Sequence, residues 1–291
     1  MTETEQALTD QVIARLDGAQ DARYRRVMTS LISHLHDFVR DVELTEEEWF
    51  SAIQFLTRTG QTCSDLRQEF ILLSDTLGVS MLVDAINHRY PAGATETTVF
   101  GPFHRPGAPA MKVWSDIAVG TKGQLLFMSG QVLDASTGLP VAGAMLDIWQ
   151  ADGEDGLYDV QRPGVPMLGR GVFRSGDVGH YGLRAIKPTH YPIPSDGPVG
   201  EMLRKMGRHP YRPAHIHAMV SAPGYKTLIT HVFMDGDPYL GSDAVFGVKD
   251  SLIVKPKSHA PGLAPDGTHS AQEFLTIDFD FRLAPASNDT P

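Results

Sequence analysis

The sequence contains one cysteine, Cys63, among 291 residues, so the chain cannot form a disulfide within itself. A single thiol fits a protein of a reducing compartment. The sequence also lacks any run of about 18 apolar residues, which a membrane-spanning helix would need. Its first residues, from Met1 to Glu5, are acidic and contain no apolar stretch, and we therefore expect no secretory signal. These absences predict a cytoplasmic protein.

Positively charged residues are in the minority. Lysine and arginine number 25 against 35 aspartates and glutamates, which gives a formal net charge of −10 at pH 7. A surface of this sign repels phosphate groups, so we expect neither nucleic acid nor an anionic membrane as a partner. The hydrophobic fraction of 42% and the charged fraction of 21% are those of an ordinary globular protein. A length of 291 residues suits one or two domains.

Proline is absent before Pro91, although the chain has 20 prolines in all. The spacing of apolar residues in this first part predicts helices at about 21–42, 46–59, 64–77 and 79–89. Thr45 followed by Glu48 has the pattern of a capping box at the start of the second of these helices. We therefore predict an N-terminal helical domain over residues 1–100.

The pattern changes after Pro91 to short apolar or alternating runs that are bounded by glycine and proline. The runs lie at about 125–133, 145–150, 181–185, 216–222, 227–233, 251–254 and 275–282. About seven short strands separated by turn residues are typical of an antiparallel sandwich or barrel. We predict such a domain over residues 101–291.

One of these runs contains the motif that we consider first for function. His215 and His217 are separated by one residue at the start of a predicted strand. Because side chains alternate along a strand, the two imidazoles are expected on the same face, where they would form half of a metal site. The alternative is a pair of half-buried histidines without a metal, and the spacing alone does not decide between them.

Two tyrosines extend this hypothesis. Tyr158 follows a predicted strand in an acidic, glycine-rich loop, and Tyr191 precedes Pro192, which favours an extended backbone. Either tyrosine alone is more simply interpreted as a packing residue. Two phenolates together with two imidazoles, however, would suit a hard trivalent cation such as Fe³⁺, whereas zinc more often binds cysteine, histidine or carboxylate.

With these residues the chain resembles the intradiol ring-cleavage dioxygenases, which are non-haem Fe(III) enzymes that open catechols between the two hydroxyl-bearing carbons. The resemblance covers nearly the whole chain. It is most specific in the segments 101–103, 156–159, 191–194 and 212–217, which read GPF, GLYD, YPIP and RPAHIH. It implies a mainly β protein with an N-terminal α-helical linker and dimerisation domain and an antiparallel β-sandwich catalytic domain.

The resemblance assigns roles to individual residues. It implies that Tyr158, Tyr191, His215 and His217 bind Fe(3+), and that Tyr191 leaves the iron and accepts a substrate proton. Arg212 would stabilise negative charge that develops on the ring, in a preorganised electrostatic role. The alternative for Arg212 is a surface arginine without a role in the reaction.

Within the family the chain looks most like the hydroxyquinol 1,2-dioxygenases. This likeness implies that O₂ cleaves 1,2,4-trihydroxybenzene to 3-hydroxy-cis,cis-muconate, the tautomer of maleylacetate. One alternative is a catechol or chlorocatechol 1,2-dioxygenase. An alternative of another class is a β-sandwich binding module with an incidental pair of histidines, which would be colourless and free of iron.

The resemblance also implies a set of substrate-binding residues. These are Leu72, Asp75, Val99, Phe100, Gly101, Pro102, Phe103, Ile193, Pro194, Arg212 and Val245. Asp75 is the one carboxylate among them, and it would accept a hydrogen bond from the third ring hydroxyl. The alternative is that Asp75 caps the end of its helix before Gly78.

His231 departs from the catechol-cleaving pattern, in which this position typically carries glutamine. It lies either close to the metal ligands or in the core as an ordinary buried histidine, and the sequence leaves both open. The family resemblance further implies a homodimer formed through the N-terminal helices, in which a lipid could be bound.

Overall fold

The protein is described by a computed structural model that covers residues 3–64, 67–162 and 164–286. The chain divides into two compact units, Met1–Gln61 and Thr62–Pro291. The domain boundary predicted near residue 100 stays a prediction.

Within the described residues the helices are α1 Glu3–Ala14, α2 Ala22–Asp41, α3 Glu46–Thr62, α4 Glu69–Thr76, α5 Val79–Asn87 and α6 Pro198–Lys205. The four predicted helices correspond to α2–α5, but the third begins at Glu69 rather than at residue 64, since Ser64 and Arg67 form an isolated β-bridge. Residues 65 and 66 of that prediction lie outside the described residues. Asp21 caps α2, because its carboxylate accepts hydrogen bonds from the backbone N–H groups of Arg23 and Tyr24. The predicted capping box of α3 is present, since the Glu48 carboxylate accepts from both the N–H and the hydroxyl of Thr45. No described helix has the length and apolar character needed to cross a bilayer.

The first unit contains α1, α2 and all but the last residue of α3. Thr9, which is buried, bonds to His36 Nδ1 at 2.9 Å and accepts a hydrogen bond of 2.9 Å from Arg40 Nη1. These contacts fasten α1 to α2. Large apolar side chains of α2 and of its C-cap residue are nevertheless exposed in this single chain: Tyr24, Val27, Leu31, Leu35, Phe38, Val39 and the C-cap Val42. Such a continuous apolar helix face is typical of an interface.

The strands belong to the second unit. They are β1 Leu125–Asp134, β2 Met145–Gln150, β3 Arg170–Arg174, β4 His180–Ile186, β5 Tyr191–Pro192, β6 Tyr211–Arg212, β7 His215–Ser221, β8 Leu228–Met234, β9 Ile253–Val254, β10 Lys257–His259, β11 Gly262–Leu263, β12 His269–Ser270, β13 Phe274–Asp278 and β14 Phe281–Leu283. All seven predicted runs overlap strands, and the first five agree with them to within one residue at each end. The sixth is shortened to β9, because residues 250–252 form a 3-10 turn, and the seventh is divided.

Two five-stranded sheets make up the sandwich. One contains β10, β13, β1, β14 and β4, and the other has the order β3-β2-β7-β8-β9. Apolar residues from both sheets, among them Leu126, Leu146 and Ile216, form one continuous core. The sheets are mixed rather than purely antiparallel, since β1 pairs in parallel with β13 and β14, and β8 with β9.

The predicted last strand, 275–282, is divided into β13 and β14. The division occurs where the Phe279 carbonyl crosses over Gly130 of β1, and a Cβ at Gly130 would collide with that carbonyl oxygen. The glycine therefore allows one long strand to pair with two short ones in succession.

Alternation along β7 determines where the functional residues lie. Ile216, Ala218 and Val220 enter the core between the sheets. His215 and His217 consequently point to the opposite face of the same sheet. On β8, which pairs with β7, His231 lies directly across from His217. This outer face, covered by loops, carries the candidate site.

Candidate metal centre

The two histidines of β7 converge as the sequence predicts. Their Nε2 atoms are 3.1 Å apart, and both side chains are only 1% exposed. Two imidazoles of alternating residues can approach this closely because the strand backbone holds them side by side. The prediction that they share a face is confirmed.

The two tyrosines complete the cluster from two neighbouring segments of chain. Tyr191 lies on β5, which pairs with β6 so that Tyr191 is opposite Arg212. Tyr158 follows the tight turn at Gly156, whose φ of +69° favours glycine. A Cβ at Gly156 would lie 2.8 Å from the Cβ of Tyr191, so the glycine permits the close approach of the two segments.

The four donor atoms surround one point. The Tyr158 hydroxyl oxygen is 2.9 Å from His217 Nε2 and 3.4 Å from the Tyr191 hydroxyl oxygen, which is itself 3.4 Å from His215 Nε2. Atoms that each bind one first-row metal ion at about 2 Å are separated by about 2.8–3.3 Å. The side chains that the family resemblance names thus fit a single metal ion.

Each histidine is fixed in a different way. The Nδ1–H of His215 donates to the carbonyl oxygen of Pro213 at 2.7 Å, which leaves the lone pair of Nε2 free for a metal. The ring of His217 is instead stacked on Trp149, with ring centroids 4.7 Å apart and an angle of 13° between the planes. Gly101 leaves room for the same ring, since a Cβ at Gly101 would lie 3.2 Å from His217 Cε1.

The site keeps its histidines neutral. Burial, followed by the charge of Arg212, lowers the pKa of His215 to about 3. Burial and the neighbouring His215 lower the pKa of His217 well below its ordinary value. A neutral imidazole is the form that binds a metal.

The phenols, in contrast, are held back from ionising by burial, which raises the pKa of both Tyr158 and Tyr191. Arg212 opposes this rise at both tyrosines without cancelling it. A bound cation of high charge would supply the missing stabilisation of the phenolates. The donor set therefore suits a trivalent ion better than a divalent one.

Tyr158 is anchored by an ion pair in the interior. The carboxylate of the adjacent Asp159 pairs with Arg170 of β3, and both side chains are buried. Arg170 Nη2 also donates to the carbonyl oxygen of Phe103 at 3.1 Å. Phe103 in turn stacks on Tyr158 at a centroid distance of 4.5 Å. Asp159 and Arg170 thus join the loops that carry Tyr158 and Phe103.

Arg212 is the cation closest to the cluster. It is 3% exposed, which excludes the alternative of a surface arginine. Its Nη1 lies 3.3 Å from His215 Nε2, and its Nε donates to Asp243 Oδ1 at 3.1 Å. Burial alone would raise the pKa of Asp243, but the charge of Arg212 and its hydrogen bonds outweigh burial and lower it. The pair fixes a positive charge beside the four donors.

Several residues of the predicted substrate pocket form one apolar cluster. Ile193 and Val245 are buried in it together with Leu203 and Ala244, and Leu72 and Val99 pack against it. The cluster brings together residues that are more than 170 positions apart in the sequence.

Asp75 lies at the end of α4, near this cluster, and its side chain is 7% exposed. Burial raises its pKa, while a hydrogen bond with Ser80 and the charge of Arg212 act in the opposite direction. Its backbone carbonyl accepts from the N–H of Gly78, at 3.0 Å.

The segment 100–103 contacts both predicted tyrosine ligands and the residue that stacks on His217. Phe103 stacks on Tyr158 and also makes an edge contact with Tyr191, with ring centroids 6.1 Å apart. Phe100 makes an edge contact with Trp149, with ring centroids 5.7 Å apart. Pro102 is exposed, and Pro194 is half-buried next to Ile193.

His231 lies beside the cluster. Its Nδ1 is 2.9 Å from the Thr98 hydroxyl and 3.4 Å from Arg212 Nη2, and its ring contacts those of both His215 and His217. Nitrogen atoms of the three histidines lie within 4.8 Å of one another. His231 is both fully buried and adjacent to the predicted ligands, so the two alternatives left open by the sequence describe the same position.

Four residues that support the site were not predicted from the sequence: Asp243, Asp159, Arg170 and Trp149. Nothing in the local pattern separates these residues from ordinary loop acids and strand residues, because their partners come from distant segments. Asp159 is the exception, since it ends the GLYD segment that the resemblance already singled out.

Two family profiles match this chain. The one described as Dioxygenase covers residues 100–285, and the one described as Catechol dioxygenase N terminus covers residues 21–95. The chain is 51% identical to a hydroxyquinol 1,2-dioxygenase of Rhizobium sp. over 96% of this chain and 95% of that protein. It is 54% identical to a 6-chlorohydroxyquinol 1,2-dioxygenase of Cupriavidus pinatubonensis, over 96% of each. A crystal structure of a hydroxyquinol 1,2-dioxygenase from Pseudomonas putida superposes with a TM-score of 0.92 at 48% identity, covering 97% of this chain and 99% of that one.

The anchor of Tyr158 gives the first prediction. Replacing Asp159 with asparagine leaves Arg170 charged and buried without its partner, and should lower the free energy of unfolding by about 3–5 kcal/mol. Urea unfolding measures this value. Asp155→Asn is the matched control, because Asp155 pairs with Arg162 at 2.7 Å but is 50% exposed. Asp155→Asn should lower the free energy of unfolding by less than about 1 kcal/mol. Equal effects of the two variants would show that the buried pair does not anchor the loop.

Proposed function

Because the chain belongs to the intradiol ring-cleavage dioxygenases, we propose that it opens hydroxyquinol with O₂ to 3-hydroxy-cis,cis-muconate, the tautomer of maleylacetate. The observation that carries the proposal is the convergence of two phenols and two imidazoles on one point. The similarity to hydroxyquinol 1,2-dioxygenases along nearly the whole chain supports the choice of substrate.

The metal would be Fe(3+), held by Tyr158, Tyr191, His215 and His217. Bound there, it would supply a strong Lewis acid that binds the ring as a catecholate and draws electron density from it. Two phenolates leave one of its three positive charges uncompensated, which favours the ferric state and an anionic substrate.

The protein groups then have separate tasks. Tyr191 accepts a hydroxyl proton of the substrate, and its position opposite Arg212 on the β5–β6 pair keeps the resulting phenol next to a fixed positive charge. Arg212, held by Asp243, stabilises the negative charge that develops on the ring and on its oxygens. Because these groups are buried, water competes little with them and the electrostatic effect is strengthened.

The pocket selects the ring. Leu72, Val99, Ile193 and Val245 offer apolar contact to its carbon atoms, with Phe100, Gly101, Pro102, Phe103 and Pro194 as the further substrate-binding residues. Asp75 accepts a hydrogen bond from the third hydroxyl, which catechol lacks. Burial of the Asp75 carboxylate costs desolvation energy, and a hydrogen bond from the substrate hydroxyl offsets part of that cost.

We further propose a cytoplasmic homodimer formed through the N-terminal helices. The exposed apolar face of α2 supports this assembly, since a stable interface of this kind is large and hydrophobic. A lipid bound between the helices would cover any apolar area that the two copies leave open.

The second prediction concerns the metal. Purified protein should contain about one iron per chain and be visibly red, because phenolate-to-Fe(III) charge transfer absorbs visible light. Tyr158→Phe and His215→Ala each remove a donor and should reduce iron content or shift the colour. Tyr181→Phe is the matched control, since Tyr181 is equally buried but donates to the Phe279 carbonyl at 2.6 Å, away from the cluster. Elemental analysis measures the iron content of each protein, and the visible spectrum measures its colour. A colourless, iron-free wild type would contradict the metal assignment and favour a binding module.

A third prediction concerns substrate choice. Asp75→Ala should reduce kcat/KM for hydroxyquinol by the equivalent of about 1.5–3 kcal/mol, which is the scale of a hydrogen bond to a charged group. The value for catechol should change much less. Asp84→Ala is the control, because Asp84 on α5 accepts from the Thr97 hydroxyl at 2.8 Å and is not a predicted pocket residue. Equal losses on both substrates would make Asp75 a structural residue and leave catechol as an equal candidate.

The fourth prediction concerns assembly. Sedimentation at micromolar concentration should give a species of twice 31.8 kDa. Leu35→Glu, which places a charge in the apolar face of α2, should yield monomers. Ser30→Glu on the same helix replaces an exposed polar residue and should leave the dimer intact. A wild-type monomer would contradict the proposal.

A further inference from the structure

Arg208 lies just beyond the end of α6, in a well-defined turn. Gly207 has a φ of +67° and its N–H donates to the Arg204 carbonyl at 3.1 Å, while the Arg208 N–H donates to the Leu203 carbonyl at 2.9 Å. This pair of hydrogen bonds is the Schellman motif. The motif fixes the backbone from which the Arg208 side chain extends.

The guanidinium of Arg208 joins two segments of chain that are distant in sequence. Nη1 donates to the carbonyl oxygen of Thr76 at 2.6 Å, and Nη2 donates to that of Ala244 at 2.9 Å. Both accepting residues are buried, with exposures of 0% and 1%. A planar guanidinium suits such a task, because its donors are held in a rigid fork.

A third contact strengthens the link. The Cζ of Arg208 lies 4.7 Å from the ring centroid of Phe246. Phe246 has a φ of +59°, a conformation that a phenylalanine rarely adopts, and its side chain is 51% exposed. A residue in this conformation persists only where its surroundings hold it, and the cation–π contact with Arg208 is one such restraint.

Each of the two segments carries a residue of the predicted substrate pocket. Thr76 directly follows Asp75 at the end of α4, and Ala244 lies between Val245 and Asp243, the carboxylate that holds Arg212. Arg208 therefore bonds to the backbone immediately next to Asp75, the proposed hydroxyl acceptor, and immediately next to Val245 of the apolar cluster.

We infer that Arg208 is a positioning residue for substrate choice, which sets the distance of Asp75 from Val245. This inference rests on the proposed function, because it assumes that Asp75 recognises the third hydroxyl of the ring. Arg208 itself touches backbone carbonyls and an exposed ring, and it acts on the substrate only through Asp75 and the loop 243–247.

The test begins with Arg208→Met, which keeps a long apolar side chain but removes both donors. The ratio of kcat/KM for hydroxyquinol to that for catechol should fall about fivefold, the effect of losing one ordinary hydrogen bond. The loss should appear mainly as a higher KM for hydroxyquinol. Arg208→Lys, which retains charge and donors without the fork, should recover part of the ratio.

Arg204→Met is the matched control. Arg204 lies on the same helix end and donates to the Ser195 carbonyl at 3.0 Å. Arg204 has the same side chain as Arg208 but bonds to neither Thr76 nor Ala244. The hydroxyquinol-to-catechol ratio of kcat/KM in Arg204→Met should therefore equal that of the wild type. A ratio that falls equally in both variants would overturn the inference and point to a general effect of α6.

Two further measurements separate this inference from the proposed function. In an Asp75→Ala background, Arg208→Met should change the ratio by less than about twofold, because the group through which it acts is gone. Hydrogen exchange should become faster at the end of α4 and in the loop 243–247, whatever substrate the enzyme prefers. Unchanged exchange in both segments overturns the role of Arg208, whereas faster exchange with no wild-type preference for hydroxyquinol overturns only the proposed function.

Discussion

Four buried donor atoms that meet at one point are the constraint on which the rest of this structure depends. Two imidazole nitrogens 3.1 Å apart and two phenol oxygens beside them form an arrangement that a single cation can satisfy. The two contacts that the Tyr191 hydroxyl makes with the other donors are long, at 3.4 Å, and burial disfavours the ionised phenols. The cluster is therefore arranged for a bound ion rather than for its own stability.

The surrounding residues serve that arrangement. The interior pair Asp159–Arg170 fastens Tyr158, the pairing of β5 with β6 places Tyr191 opposite Arg212, and Trp149 supports the ring of His217. Buried ion pairs of this kind contribute little net stability, since desolvation offsets their attraction. Here the buried ion pairs fix positions instead. Asp159–Arg170 holds the loop of Tyr158, and Asp243–Arg212 holds a positive charge beside the donors.

The sequence predicted those features that depend on neighbouring residues. Alternation on β7 correctly placed His215 and His217 on one face, and helical spacing located α2–α5. The helix α6 and the strand β3 escaped prediction because they are too short to show a clear period: β3 has five residues and α6 has eight. Helix α1 was also not predicted. The pairing of Asp243 with Arg212, and the joining of Thr76 to Ala244 by Arg208, connect segments that only the folded chain brings together. For the tyrosines the prediction came from the family resemblance, since spacing alone gives no reason to unite Tyr158 with Tyr191.

Anomalous X-ray diffraction at the iron absorption edge is the most direct test of this account. Crystals should be grown from protein purified without added metal. We expect one iron ion bounded by the phenolate oxygens of Tyr158 and Tyr191 and by Nε2 of His215 and His217. Crystals without iron, in which these four side chains bond directly to one another, would contradict it. An iron ion bound by His231 in place of either tyrosine would contradict it equally.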